Sequence, residues 1–171
     1  MHYELIEPAI HTGVSDRVVV TEFFSYGCGH CYNFEPLLES FDARLPDGVM
    51  LQRTPVIWNN NPSMKLLAKT YYAVEVLDVF EPVHGAVFNA IHRQRKRLSS
   101  PQAVKAVFVE NGVSDSDFDR AFGSFGIDSM VRQAAARTEG ARIDGTPSLM
   151  VNGKYRIDTR QAGSQANMLK I

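Results

Sequence analysis

Along the chain, the first strong pattern is Val18-Val19-Val20-Thr21-Glu22-Phe23-Phe24, a β-branched and aromatic run that predicts a strand. From Tyr32 to Leu45 the apolar residues Phe34, Leu37, Leu38, Phe41 and Leu45 recur at helical spacing, and Leu45-Pro46-Asp47-Gly48 marks a stop and a turn. Val49 to Val56 predicts a second strand, so strand, helix and strand with a right-handed crossover make a parallel βαβ unit. The period then turns helical. Asn59-Asn60-Asn61-Pro62 opens a helix carrying Leu66, Leu67, Tyr71, Val74 and Leu77 and ending near Phe80. A second helix is expected from about Pro82 to Arg97, with Val83, Val87, Ala90 and Ile91 on one face. Ser100-Pro101 reads as a cap with proline at the first helical position, and Gly112 closes that helix. Ser114-Asp115-Ser116-Asp117 has the look of a capping box for a helix through Phe118 and Phe122, and Asp128-Ser129 is expected to cap another running to Ala136. Beyond it, Pro147 to Val151, then Asn152-Gly153, then Lys154 to Ile157 predicts a hairpin with type I′ turn residues.

Composition narrows the function classes. With 171 residues and 44% hydrophobic content the chain is long enough for one sizeable core, or one domain carrying an insertion. No apolar run approaches the roughly 20 residues of a bilayer span. A net charge of −1 offers no bulk attraction to nucleic acid or anionic membrane, and Arg93-Gln94-Arg95-Lys96-Arg97 is expected to be a solvated helix end. Met1-His2-Tyr3-Glu4-Leu5 lacks the basic segment and apolar core of a secretory signal, so we expect either a protein that stays in the cell or a signal already removed.

The chemistry concentrates in Cys28-Gly29-His30-Cys31, where two cysteines three apart at a strand-to-helix junction can open and close a disulfide within one turn. At the start of a helix the unsatisfied N–H groups and the dipole favour a Cys28 thiolate by roughly 0.3–1 kcal/mol. His30 is expected to act in the same direction. Stabilising the thiolate stabilises the dithiol form, which makes the disulfide a better oxidant. Two plainer readings compete. A zinc site needs about four ligands, but the chain has only two cysteines and His2, His11, His84 and His92 show no paired spacing. A structural disulfide here would close too short a loop to constrain the unfolded chain much. With both cysteines inside the motif, no stray thiol remains to be cross-linked, which is compatible with an oxidising compartment.

A βαβ unit with Cys-x-x-Cys at its turn, a helical stretch, and then Thr-Pro before a hairpin resembles the DsbA family of thiol-disulfide oxidoreductases. The likeness is carried by Glu22-Phe23-Phe24-Ser25-Tyr26-Gly27-Cys28-Gly29-His30-Cys31-Tyr32-Asn33-Phe34-Glu35 and by Gly145-Thr146-Pro147-Ser148-Leu149-Met150-Val151-Asn152-Gly153-Lys154-Tyr155. It implies an α/β, thioredoxin-like fold with an inserted helical domain, divided as 1–61, 62–140 and 141–171. It also implies that Cys28 is the exposed, reactive cysteine and Cys31 its buried partner, that Pro147 is cis with Thr146 beside it, and that Glu22, Glu35 and Arg53 form a charged cluster under the site that relays or tunes the Cys31 proton. Tyr26, Gly29 and Phe34 are expected to line a substrate groove. No metal and no cofactor beyond the Cys28–Cys31 disulfide is implied.

The same resemblance implies unfolded exported proteins with free cysteines as substrates, a membrane-bound DsbB-type quinone reductase as reoxidant, no nucleic-acid partner, a monomer, and the bacterial periplasm as the site. Gly29-His30 departs from the Pro-His of many members, Thr146 replaces a common valine, and the closing helix after Gln165-Ala166-Asn167-Met168 is expected to be shortened. These departures keep open a disulfide isomerase or reductase of the same fold, and beside it a non-redox peptide-binding module.

Overall fold

The run Val18–Phe24 does form a strand, and Val19 to Phe24 are all buried, so it is covered on both faces instead of alternating. In the computed structural model, which describes residues Met1–Ile171, it is the second strand, β2, because the short strand β1 (Glu4–Leu5) precedes it. Two residues carry no readable alternation, which is why β1 has no signature in the sequence. Helix α1 (Gly29–Asp42) and strand β3 (Val49–Pro55) complete the expected unit, with β3 beside β2. The helix stops three residues short of Leu45. Its last turn tightens, with the Arg44 and Leu45 amides donating to the Phe41 and Asp42 carbonyls at 3.0 and 3.2 Å.

Two compact units make up the chain. Met1–Phe24, His30–Thr54 and Arg137–Ile171 form a sheet unit, and Ser25–Gly29 with Pro55–Ala136 forms a helical unit. The boundaries expected at residues 61/62 and 140/141 therefore move. Arg137 donates to Thr54 Oγ1 at 3.4 Å, and Ile10 packs against Gly140, so the end of the last long helix goes with the sheet.

In the sheet unit, strands β4 (Ser148–Val151) and β5 (Tyr155–Asp158) give the order β1-β5-β4-β2-β3. Strand β4 runs antiparallel to β2, from Val20↔Val151 to Phe23↔Ser148. Asn152 and Gly153 have φ of 50° and 70°, the signs a type I′ turn needs. Gly153 is required twice over, since a Cβ there would stand 1.9 Å from the Ile10 carbonyl oxygen. Short helices α7 (Thr159–Ala162) and α8 (Gln165–Met168) follow, the first with a reciprocal capping box between Asp158 and Gln161. Their buried Ala162 and Met168 join Val20, Phe34, Leu38, Leu149 and Ile157 in one apolar core.

In the helical unit, α2 (Pro62–Val76) is capped by Asn61, whose side chain accepts the Met64 amide at 3.1 Å. It ends before the expected Phe80 because Asp78 takes φ of 53°, outside helical space. A π-helical turn, Phe80–His84, leads into α3 (Gly85–His92). The basic run at 93–97 thus lies beyond the helix, solvent-exposed, with Lys96 3.6 Å from Glu110. Helices α4 (Pro101–Glu110) and α5 (Asp115–Phe122) start at the expected caps, Ser100 and Ser114 each accepting an amide at 3.2 Å. Helix α6 (Phe125–Gly140) starts three residues before Asp128, because Ser124 Oγ takes the capping role by accepting the Ile127 amide at 3.3 Å. Phe118 packs between Phe108 and Phe122, ring centroids 5.0 and 4.8 Å away, and anchors this unit's core. No helix of the chain is long and apolar enough to cross a membrane.

Candidate active site

The cysteine motif straddles the start of α1. Ser25, Tyr26, Gly27 and Cys28 make a turn closed by the Cys28 amide donating to the Ser25 carbonyl at 3.1 Å, with the Gly27 amide 3.2 Å from Ser25 Oγ. That turn delivers Cys28 to the residue before Gly29, where helix N–H groups have no intrahelical partner. The two cysteines differ sharply in access: Cys28 is half-exposed, whereas Cys31 is 0% exposed. Gly29 and His30 are exposed, and a Cβ on Gly29 would meet no atom within 4 Å. The His30 carbonyl accepts a hydrogen bond from Gln165 Nε2 at 2.8 Å, so α8 braces the first turn of α1. A lone glutamine in a C-terminal segment carries no sequence signal for that contact.

Glu22, Glu35 and Arg53 come together in the sheet unit as the resemblance implied. Arg53 Nη2 lies 2.6 Å from Glu35 Oε1, and Arg53 Nε lies 3.6 Å from Glu22 Oε2. The three side chains are 9%, 8% and 0% exposed in the order Arg53, Glu35, Glu22. Glu22 sits in the middle of the buried strand β2, opposite Leu149, where an unpaired carboxylate would be costly to bury. Glu35 follows Cys31 by four residues on α1, one turn further along the same buried face, so the cluster lies on the side of the helix to which Cys31 points.

Thr146-Pro147 is a cis peptide, and Pro147 is buried. The β2–β4 ladder ends at Phe23↔Ser148, immediately after Pro147, so strand pairing sets the proline loop at the same end of β2 that leads into the cysteine turn. Ser148 Oγ donates to the Gly145 carbonyl at 2.7 Å and stiffens the loop. Beside it opens a cavity of about 180 Å³ lined in part by Thr146, Pro147, Asp158 and Arg160. Two residues expected in a substrate groove are core instead. Tyr26 is enclosed by Tyr71, His84 and Phe88 at ring distances of 6.5, 5.2 and 5.0 Å, and Phe34 is wholly buried against the sheet. Of the three expected groove residues, Gly29 alone remains at the surface. No group of three or more His, Cys, Asp or Glu side chains is arranged to hold a metal ion.

Residues 47–168 match the family model described as a DSBA-like thioredoxin domain. Over 174 aligned residues the chain is 32% identical to the thiol:disulfide interchange protein DsbA of Azotobacter vinelandii, covering 98% of this chain and 78% of that one. It is 35% identical to the protein of the same name from Bordetella parapertussis, over 99% of this chain and 80% of the relative. The crystal structure of Pseudomonas aeruginosa DsbA superposes with a TM-score of 0.93 at 30% identity, over 99% of this chain and 87% of that one.

Proposed function

Since the chain belongs to the DSBA-like thioredoxin family and is a thiol:disulfide oxidoreductase, we propose that it works as a dithiol oxidase, passing its Cys28–Cys31 disulfide to unfolded, exported proteins. The observation that carries the direction of attack is the unequal access of the two sulfurs, half-exposed Cys28 against wholly buried Cys31. A substrate thiolate attacks Cys28 Sγ, forms a mixed disulfide and breaks the Cys28–Cys31 bond. The expelled Cys31 thiolate takes up a proton. The substrate's second thiolate then attacks its own sulfur in the mixed disulfide, which forms the substrate disulfide and releases Cys28 as a thiolate. Two electrons pass from substrate to the cysteine pair, and no further cofactor is required.

The remaining groups prepare that exchange. Cys28 precedes the first residue of α1, where helix N–H groups and the helix dipole stabilise the leaving thiolate. Glu35, one helical turn after Cys31 and held by Arg53, offers a carboxyl group on that face for the Cys31 proton, with Glu22 on the same guanidinium. Pro147 and Thr146 leave an extended loop for the substrate backbone, and His30 stands exposed two residues after the reacting Cys28. The site of action is the periplasm and the reoxidant a quinone-linked membrane protein of the DsbB type; both rest on family membership. The protein acts as a monomer on this reading.

Equilibration with glutathione buffers, read by thiol labelling, tests it. A pair that stays dithiol until the buffer is strongly oxidising supports the oxidase, while one that forms its disulfide as readily as thioredoxin does reassigns it as a reductase or isomerase. Cys31→Ser is expected to accumulate mixed disulfides through Cys28 with reduced, unfolded substrate. Their absence would overturn the order of attack.

A further inference from the structure

Tyr26 lies two residues before Cys28, in the Ser25–Gly29 segment that packs within the helical unit. It is held at both ends. Its hydroxyl is 2.8 Å from His84 Nδ1, and its backbone carbonyl is 2.6 Å from His92 Nε2. A carbonyl only accepts, so His92 Nε2 carries the hydrogen in that bond. Between the two histidines, Phe88 meets the Tyr26 ring edge-on at 5.0 Å. His84, Phe88 and His92 are spaced four apart across the end of the π-helical turn and α3, and therefore share one face along which Tyr26 lies. His84 is 1% exposed and is itself fixed by stacking on Phe80 at 4.2 Å.

These contacts reach the reacting sulfur through the backbone. Tyr26 and Gly27 are the central residues of the turn closed by the Cys28 amide, so fixing the Tyr26 carbonyl and ring fixes the turn that places Cys28 at the start of α1. We propose that His84 and His92 are positioning residues for disulfide exchange, acting through Tyr26 to hold Cys28 where the helix terminus stabilises its thiolate. The inference deepens the oxidoreductase reading and rests on it. In the disulfide form the covalent link already restrains Cys28; in the dithiol form the restraint has to come from the turn and its clamp. The clamp therefore favours the dithiol form, and losing it makes the protein a weaker oxidant.

The test compares the wild-type protein with Tyr26→Phe, His92→Leu and His92→Gln, measuring the glutathione equilibrium constant and the urea midpoint of both redox forms. Tyr26→Phe and His92→Leu are each expected to raise the oxidised fraction, shifting the constant by roughly fivefold, the factor of one net hydrogen bond made in a single redox state. His92→Gln, whose side-chain amide can donate to the same carbonyl, is expected to restore the wild-type constant. Equal losses of stability in both redox forms with an unshifted constant would reduce the histidines to packing residues and overturn the proposal. Should His92→Leu fail to fold, Tyr26→Phe decides by the same criterion, since it removes only a hydroxyl. A wild-type protein that does not exchange with glutathione overturns the oxidoreductase reading itself, whereas a wild type that exchanges beside unshifted variants overturns the clamp alone.

Discussion

Replacing Arg53 by methionine takes a guanidinium from between two buried carboxylates while keeping most of its aliphatic volume. In the native protein its nitrogens lie 2.6 Å from Glu35 and 3.6 Å from Glu22, and both carboxyl side chains are at least nine-tenths buried. Removing one partner of a buried ion pair costs about 3–5 kcal/mol, because the charge left behind is neither solvated nor compensated. Two charges are left here, so we expect the upper part of that range at pH 7.5, where both glutamates are ionised in the unfolded chain. The pH dependence follows from linkage. In the variant the folded state favours the protonated carboxyl, so it binds more protons than the unfolded state and loses stability as pH rises. The deficit is therefore largest at neutral pH and narrows on acidification toward the unfolded glutamate value of about 4.3. Urea unfolding of wild type and Arg53→Met at pH 7.5 and pH 5, both as dithiols, measures it. Adding Glu35→Gln should recover part of the loss, since one of the two carboxylates that faced the guanidinium becomes neutral. A deficit below about 1 kcal/mol, the range of exposed pairs, or one equal at the two pH values, would refute the reasoning.

Other outcomes follow from local geometry. Gly153→Ala sets a Cβ against the Ile10 carbonyl and forces an alanine to φ of 70°, so the N-terminal segment should peel from the hairpin; faster hydrogen exchange at the Ile6 and Ile10 amides, which bond Lys154 and Gly153, reports this, and unchanged protection counts against it. At Gly29, the first residue of α1, an added Cβ meets no atom within 4 Å, so Gly29→Ala should stabilise the fold by about 0.4–1 kcal/mol in thermal unfolding, chiefly by restricting the unfolded chain. Ser100→Ala deletes the cap of α4 and should lower stability by about 1 kcal/mol with disulfide exchange unchanged, which urea titration and the glutathione equilibrium check together.

Much of the architecture was legible because its signals are local. The strand run Val18–Phe24, the Ser100 and Ser114 caps and the Asn152-Gly153 turn each depend on a few adjacent residues, and each is found where the pattern puts it. The misplaced edges have equally physical causes. Asp128 has capping chemistry, but Ser124 reaches the first free amides of α6 before it; Phe80 fits the helical period of α2, but Asp78 has already left helical space. Within the site, Cys28, Cys31 and Pro147 announce themselves by motif, and Glu22 by being a charge inside an apolar strand. Tyr26 and Phe34 were misread because an aromatic beside a reactive motif looks the same in sequence whether it faces solvent or core. The bonds from His84 and His92 to Tyr26 span 58 and 66 residues, and no periodicity encodes contacts at that separation.

The strand order β1-β5-β4-β2-β3 also dictates when the sheet can exist. Its middle strand, β4, and the neighbour that β1 requires, β5, both lie after residue 147, so the Asn152 side chain that bonds Val19 is 133 residues away along the chain. Closing a loop of that length costs about 4 kcal/mol in chain entropy on logarithmic scaling, and nothing repays it until β4 has been made. A chain still being synthesised has the whole Pro55–Ala136 part of the helical unit before β4 exists, while Glu22 remains without the strand that pairs with it. Truncation after Gly140 should accordingly leave helical circular dichroism without a cooperative sheet, and a chain emerging from its N-terminus can complete that sheet only once β4 and β5 have followed.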